Sequence, residues 1–94
     1  MTSKRGKPEI IFDILLAIQA GSGKIKPTRL LYKSNLSHSR LKLYMDTLLK
    51  QGLVALESSE EGKNARRLVV LTPKGYTFIS EYRKMRDLID SFGI

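Results

Sequence analysis

A tight turn between two short apolar segments is the feature of this sequence that most limits its fold. Pro27 opens the first segment, because proline is tolerated at the first position of a helix, where its missing amide proton is not needed. The segment stops at Asn35, a residue type that accepts the left-handed backbone of a tight turn. Ser37 is a good N-cap, so a second helix is predicted to follow at once, with Leu36 filling the space between the two helices. Gly52 stands where a C′ glycine would end that helix.

The segment before this pair predicts another helix. Pro8 stands where that helix should begin, and the glycines in residues 21–23 should end it. Residues 24–26 are then predicted to form a short edge strand. The apolar residues of the predicted first helix have the 3.6-residue spacing of one buried helical face. They are Ile11, Ile14, Leu15 and Ile18.

The segment after the pair predicts a hairpin and a final helix. Residues 53–56 are apolar and are predicted to pair with residues 68–71 across a polar loop of residues 57–67. Thr72-Pro73 then combines an N-cap with a proline at the first helical position, as at other helix starts. The last helix is predicted to run to about Phe92.

These elements make one mostly helical α+β domain, which is the size expected for 94 residues. Three helices form the core and the hairpin forms a wing, which is the arrangement of a winged helix-turn-helix with an added C-terminal helix. We expect residues 1–7 to be a flexible basic arm, residues 8–75 to be a winged helix-turn-helix DNA-binding domain, and residues 76–94 to be a dimerisation helix.

The charge of the chain indicates a polyanionic partner. It has 17 Lys and Arg residues and 9 Asp and Glu residues, a formal net charge of +8, and cations that neutralise phosphates release the counterions condensed on DNA. Lys4, Arg5 and Lys7 make the N-terminus basic, but no apolar core of a secretion signal follows. No apolar run reaches the ~20 residues that a membrane helix needs. We therefore expect a cytoplasmic, nucleoid-associated protein without a membrane contact.

The same composition argues against catalysis and against a bound metal. The chain has no cysteine and one histidine, and its carboxylates are scattered, so no nucleophilic, metal-assisted or paired-carboxylate site can be assembled. Residues 21–24 read Gly-Ser-Gly-Lys, but Ile18 and Ile25 stand where a phosphate-binding loop needs a glycine and a hydroxyl residue. We expect no enzyme activity, no cofactor and no metal, and we leave a small-molecule effector open.

The second helix of the close pair is predicted to read double-stranded DNA. Ser39 and Arg40 fall in its first turn, where base edges are normally read, and Arg40 can bond both O6 and N7 of guanine. Leu43 points outward, and contact with a thymine methyl group would explain why an apolar residue is exposed at this position. Its inward residues are Leu41, Met45, Leu48 and Leu49. The predicted DNA-binding residues are Lys26, Thr28, Arg29, Ser37, His38, Ser39, Arg40, Lys42, Leu43, Lys63, Asn64 and Arg66.

The wing is predicted to contact phosphates or the adjacent minor groove. Three carboxylates share it, those of Glu57, Glu60 and Glu61, and they repel DNA unless they pair with the neighbouring arginines. The residues expected to favour DNA are Lys63, Asn64, Arg66 and Arg67.

The last helix carries apolar residues spaced as in the a and d positions of a coiled coil. The alternative is that this face packs entirely on its own domain, although the helix from Tyr82 onward extends beyond what such a core can cover. We therefore predict a homodimer, which would present two recognition helices to half-sites about one helical turn apart. The predicted dimer interface is Phe78, Tyr82, Met85, Leu88, Ile89 and Phe92.

Residues 28–37, Thr-Arg-Leu-Leu-Tyr-Lys-Ser-Asn-Leu-Ser, are the most distinctive block of the sequence. With the apolar helix that follows and the Leu-Thr-Pro-Lys-Gly segment at 71–75, this block resembles a family of small archaeal winged-helix DNA-binding proteins over roughly residues 8–92. The resemblance implies a transcription regulator or a chromatin-associated protein that dimerises through an antiparallel C-terminal helix. The wing here is longer and more acidic, and the final helix shorter, than the family leads us to expect.

Three interpretations of function stay open at this point. The leading one is sequence-selective binding of double-stranded DNA by a homodimeric transcriptional regulator. The alternatives are a non-specific archaeal chromatin protein and a winged helix that binds another protein through Leu43 and the last helix. RNA binding is disfavoured because the sequence offers no aromatic platform on which unpaired bases could stack.

Overall fold

The computed structural model describes residues 6–59 and 66–93. Within these residues the chain is mostly helical, with a three-helix core, a hairpin at its edge and a C-terminal helix, which confirms the predicted architecture. In chain order the elements are α1 (Lys7–Ala20), β1 (Lys24–Ile25), α2 (Pro27–Ser34), α3 (His38–Lys50), β2 (Val54–Ser59), β3 (Arg66–Leu71) and α4 (Pro73–Ser91).

The predicted turn between α2 and α3 is confirmed by its backbone. Asn35 has a left-handed conformation with a φ of 56° and ends α2. Ser37 Oγ accepts a hydrogen bond from the Arg40 amide at 3.3 Å and caps α3. Gly52 follows α3 with a φ of 74°. Because Asn35 ends α2 and Ser37 caps the start of α3, the turn between the two helices consists of residues 35–37 only.

The start of α4 is tied to the end of α3. Thr72 Oγ1 accepts a hydrogen bond from the Gly75 amide at 3.1 Å and donates one to the Gly52 carbonyl oxygen at 2.6 Å. Gly75 is buried where α4 passes close to Leu53, so that a side chain at this position would have no room. The predicted cap at Thr72 is therefore confirmed, and it also joins two helices.

α1 begins one residue earlier than predicted. Gly6 is its N-cap and donates its amide hydrogen to Glu9 Oε1 at 3.4 Å, so Lys7 is the first helical residue. Lys7 therefore lies in the folded domain and not in the arm expected over residues 1–7. Residues 1–5 of that arm lie outside the described residues.

The sheet has three antiparallel strands in the order β1-β3-β2. The predicted edge strand is confirmed as Lys24–Ile25. β2 and β3 pair over their whole lengths, so residues 57–59 and 66–67, which were predicted to lie in the polar loop, belong to the strands. The strands extend into polar sequence because one face of an antiparallel sheet can lie in water.

α1 lies at the centre of the core. Ile14, Leu15 and Ile18 have 0% of their surface exposed. α4 crosses α1, and the ring centroids of Phe12 and Tyr82 lie 4.6 Å apart at the crossing. The Arg86 guanidinium, one turn later, lies 5.4 Å from the centroid of the Phe12 ring, and every described residue of α4 after Tyr82 is exposed. Across residues 6–59 and 66–93, no helix combines the length and the apolar character that crossing a membrane demands.

Candidate nucleic-acid interface

α3 is anchored on one side and open on the other. Leu41 and Leu48 are buried in the core. Leu43 points away from the core with 68% of its surface exposed. A helix held in this way can enter a groove of DNA without losing its packing. The predicted contact residues exposed along it are His38, Ser39, Arg40, Lys42 and Leu43.

The first turn of α3 brings three predicted contact residues together. Ser37 Oγ accepts the Arg40 amide and lies 3.5 Å from Ser39 Oγ. The cap therefore fixes the backbone from which Arg40 extends. The Arg40 guanidinium is exposed and has no hydrogen-bond or ion-pair partner among the described residues, so it is available to a ligand.

The start of α2 adds cations beside α3. Lys26 is the N-cap residue, Thr28 and Arg29 lie in the first turn, and all three are exposed as predicted. The first amides of a helix point outward and attract phosphate, and this first turn has no acidic residue. The N-terminus of α2 is therefore suited to binding an anion.

Lys7 reaches the same surface from the far side of α3. Together with Arg40, Leu43, Tyr44 and Thr47 it lines a shallow depression of about 270 Å³ between α1 and α3. Lys7 therefore adds a positive charge beside α3. On the other side of α3, Thr28, His38 and Lys42 line a second cleft, of about 390 Å³.

The charges of α2 and α3 are largely uncompensated. Asp46 is the single carboxylate of the two helices, and it is exposed. Ion pairs between described residues join Lys24 to Glu57 on the sheet and Lys84 to Glu81 on α4, so none uses a cation of α2 or α3. The potential over this face is therefore positive. The cations of the two helices are Arg29, Lys33, Arg40, Lys42 and Lys50.

Part of the predicted wing surface falls in the described region. Lys63, Asn64 and the side chain of Arg66 lie outside the described residues. Arg67 is exposed on β3, opposite Ser58. Glu57 is not a free wing carboxylate, because its Oε1 lies 3.1 Å from Nζ of Lys24, which belongs to β1 at the opposite edge of the sheet. It therefore adds less repulsion toward DNA than expected, while Glu60 and Glu61 lie outside the described residues.

The predicted dimer seam on α4 divides into two parts. Phe78 and Tyr82 are half-buried on the domain's own core, where the Tyr82 ring lies against Phe12 and stacks on Phe78 at 5.8 Å. Both side chains therefore pack partly on their own domain, and their role in a dimer interface stays a prediction. The remaining residues form an exposed apolar stripe, 42–73% accessible, made of Met85, Leu88, Ile89 and Phe92.

Tyr32 was not among the predicted contact residues, although it lies on the exposed surface of α2. Tyr32 is 87% exposed on α2 and lies one helical turn beyond Thr28 and Arg29. The four-residue spacing from Thr28 could have identified it, since residues four apart share a helix face. Lys7 was predicted, with Lys4 and Arg5, to contact the DNA backbone as part of an arm, and the Gly6 and Glu9 cap places it instead in the first turn of α1.

A capped helix pair whose second helix presents uncompensated cations, followed by a β-hairpin, defines a winged helix-turn-helix domain of the DNA-binding class. The family model described as winged helix-turn-helix matches residues 4–90. The chain belongs to this family.

Several solved structures are similar to the chain, among them the following two. Sso10a-2, a DNA-binding protein from Sulfolobus solfataricus, is 29% identical with a TM-score of 0.72, over 95% of this chain and 90% of that protein. This similarity confirms the predicted resemblance to small archaeal winged-helix proteins. BpsR from Bordetella bronchiseptica, whose DNA binding is regulated by 6-hydroxynicotinic acid, is 18% identical with a TM-score of 0.70 and shows the fold alone; 87% of this chain and 61% of that chain are covered. A comparison with curated proteins found no match.

Proposed function

We propose that the chain binds double-stranded DNA as a homodimer, reads its sequence with α3 and acts as a transcriptional regulator. The observation that carries this proposal is the exposed face of α3, where Arg40 and Leu43 stand free beside the cationic start of α2. Sso10a-2 is a DNA-binding protein, and its similarity over 95% of this chain supports the same class of partner. A DNA partner places the protein at the nucleoid.

In this proposal α3 lies in the major groove with its first turn toward the base edges. Arg40 forms two hydrogen bonds with a guanine, an interaction that discriminates against other bases by about 1–3 kcal/mol. Leu43, about one turn later, contacts a thymine methyl group. That contact would remove water from an apolar side chain that is 68% exposed in the free protein.

Backbone contacts position α3 in the groove. Lys26, Thr28 and Arg29 hold phosphates together with the first amides of α2. Lys7 extends the contact past the other side of α3. These interactions fix the register of the protein on the duplex but carry no sequence information. The wing residues Lys63, Asn64 and Arg66 are proposed to reach the adjacent backbone or minor groove.

The apolar stripe of α4 is proposed to form the dimer interface. Its members recur at the three- and four-residue intervals that place side chains on one helix face. Pairing two such helices would bury surface that is 42–73% exposed in one chain. The dimer would present two copies of α3 to a palindromic site whose half-sites lie about 34–36 Å apart.

Two other functions make different use of these residues. A non-specific chromatin protein needs the phosphate contacts but gains nothing from Arg40 and Leu43 aimed at base edges. A protein-interaction domain uses Leu43 and the apolar stripe but has no need of free cations at Lys26 and Arg29. The combination of base-reading and phosphate-binding side chains on one face favours the regulator.

The test is a titration of labelled duplex DNA at several salt concentrations. The duplex is one enriched from a random-sequence pool by the wild-type protein. Wild-type affinity is expected to fall steeply with salt, because binding displaces counterions. Arg40→Ala is expected to bind about 5–150-fold more weakly than wild type.

Arg83→Ala is the matched control, because Arg83 is exposed on α4 and its loss removes the same charge far from α3. It should bind nearly as wild type does. No wild-type binding even at low salt would contradict the DNA proposal. Equal weakening by the two variants would show that α3 is not the reading element.

A further inference from the structure

The cleft on the hairpin side of α3 has the size and composition of a small-molecule site. Its volume of about 390 Å³ falls within the range of roughly 300–1,000 Å³ that ligand pockets occupy. We call it the hairpin cleft, since α2, α3, β2 and β3 all contribute to it. Its apolar wall includes Leu31, Met45, Leu49 and Leu56, and its polar rim is formed by His38 and the cations Lys42 and Arg67.

The apolar wall of the hairpin cleft is incompletely covered. Deeper lining residues such as Leu30 and Val69 are 0% and 2% exposed and belong to the core. Leu31, Met45 and Leu49 are only half-buried, and Leu56 is 49% exposed. The solvent exposure of the lining side chains thus increases from the bottom of the cleft to its opening. An apolar ligand group bound here would remove its own surface and that of these side chains from water, which is favourable.

The rim of the hairpin cleft is cationic. Lys42 lies one helical turn beyond His38 on α3, and Arg67 comes from β3, so the rim draws on two separate elements. Neither Lys42 nor Arg67 has a carboxylate partner among the described residues. A ligand that complements this cleft therefore carries an apolar body and a negative charge at one end.

We propose that the hairpin cleft binds a small organic anion, an aromatic or aliphatic body that carries a carboxylate or sulfonate. The body lies on the wall formed by Leu31, Met45 and Leu56. The anionic group lies at the rim, where Lys42 and Arg67 donate hydrogen bonds to it.

Occupation of the cleft would oppose DNA binding. Thr28, His38 and Lys42 line the cleft and are also proposed DNA contacts. A bound anion would neutralise Lys42 and place negative charge where a phosphate has to approach. This consequence rests on the proposed DNA-binding function, whereas the existence of the anion site does not.

The probe for the site is anilinonaphthalene sulfonate, an anion whose apolar rings fluoresce when water is removed from them. Its uncharged analogue, phenylnaphthylamine, has nearly the same rings without the sulfonate. We expect one saturable sulfonate site for each protomer and at least about fivefold weaker binding of the uncharged analogue, because the rim charge then goes unused. Equal affinity for the two probes would overturn the proposal of an anion site.

Two matched pairs of variants locate the bound dye. Leu56→Gln is compared with Tyr76→Gln, since Leu56 and Tyr76 are 49% and 42% exposed but only Leu56 lines the hairpin cleft. Arg67→Gln is compared with Arg83→Gln. Leu56→Gln and Arg67→Gln should each weaken binding about fivefold or more, and their partners should not. Dye binding that is lost with Tyr76→Gln, or unchanged by Arg67→Gln, would overturn the proposal.

The last experiment measures the affinity of the protein for a far-red-labelled DNA duplex at increasing dye concentration. Wild-type affinity should fall at least about fivefold at saturating dye, and the affinity of Leu56→Gln should fall much less at the same dye concentration. DNA binding that ignores a dye bound in the cleft would overturn the antagonism. Cleft binding by a protein that binds no DNA would sustain the anion site while contradicting the proposed function.

Discussion

Replacement of Gly75 by alanine tests how closely α4 approaches the rest of the domain. A Cβ atom at this position would lie 2.7 Å from Leu71 Cδ1 and closer still to the carbonyl oxygen of Leu53. That oxygen accepts the Thr72 amide at 3.2 Å, so it is held in place. Overpacking of this kind costs about 1–3 kcal/mol, and the better helix propensity of alanine returns up to about 1 kcal/mol. The net expectation is a destabilisation of about 1–2 kcal/mol.

The assay is thermal unfolding followed by circular dichroism at one fixed protein concentration, because the stability of a dimer depends on concentration. The midpoint should fall by about 5–15 °C in a domain of this size. Ser80→Ala is the matched control, since it creates the same residue at an exposed position of α4 and should leave the midpoint almost unchanged. Equal midpoints for Gly75→Ala and Ser80→Ala would refute the close approach, and with it the position of α4.

Three further predictions concern the turn, the phosphate contacts and the dimer. Asn35→Ala should cost about 1–2 kcal/mol in urea unfolding because φ at this position is 56°, whereas Asn35→Gly should be neutral or stabilising; equal midpoints would contradict the left-handed turn. Lys26→Gln should reduce the slope of log affinity against log salt by about 0.9, and an unchanged slope would exclude a phosphate contact. Leu88→Arg should convert a dimer into a monomer in sedimentation equilibrium, and a variant that remains dimeric would exclude the apolar stripe as the interface.

The helix ends were predictable because their signals are local. Ser37 and Thr72 accept hydrogen bonds from the amides three residues later, and Asn35 takes the left-handed conformation for which its side chain is suited. These interactions involve neighbours in sequence. The helix-turn-helix and the start of the last helix could therefore be read without a structure.

The division of the α4 seam was not predictable from spacing. Tyr82 and Met85 both fit an a/d pattern, yet Tyr82 lies against Phe12 while Met85 is 48% exposed. The difference depends on where α1 passes beneath α4, and heptad spacing contains no information about that crossing. The spacing therefore does not show that Phe78 and Tyr82 pack partly on the core of their own domain.

Contacts between distant residues account for the other differences. Glu57 was predicted to lie in the polar loop of the wing, but it lies in β2 and pairs with Lys24, 33 residues away in sequence. The hairpin cleft is built from separate helices and strands, so its wall and rim are not contiguous in sequence. Exposure of Leu43 was correctly predicted, because helical periodicity alone places it opposite the buried face of α3.

Selection from a random-sequence duplex pool, run in parallel with the wild type and Arg40→Ala, tests the central claim that α3 reads base sequence. The wild type should enrich a symmetric motif with a guanine at a fixed position in each half-site. Arg40→Ala should lose the preference at that position and keep the rest of the motif. A wild-type pool without a motif, or identical motifs from the two proteins, would contradict the assignment of Arg40 and α3 as the reading element.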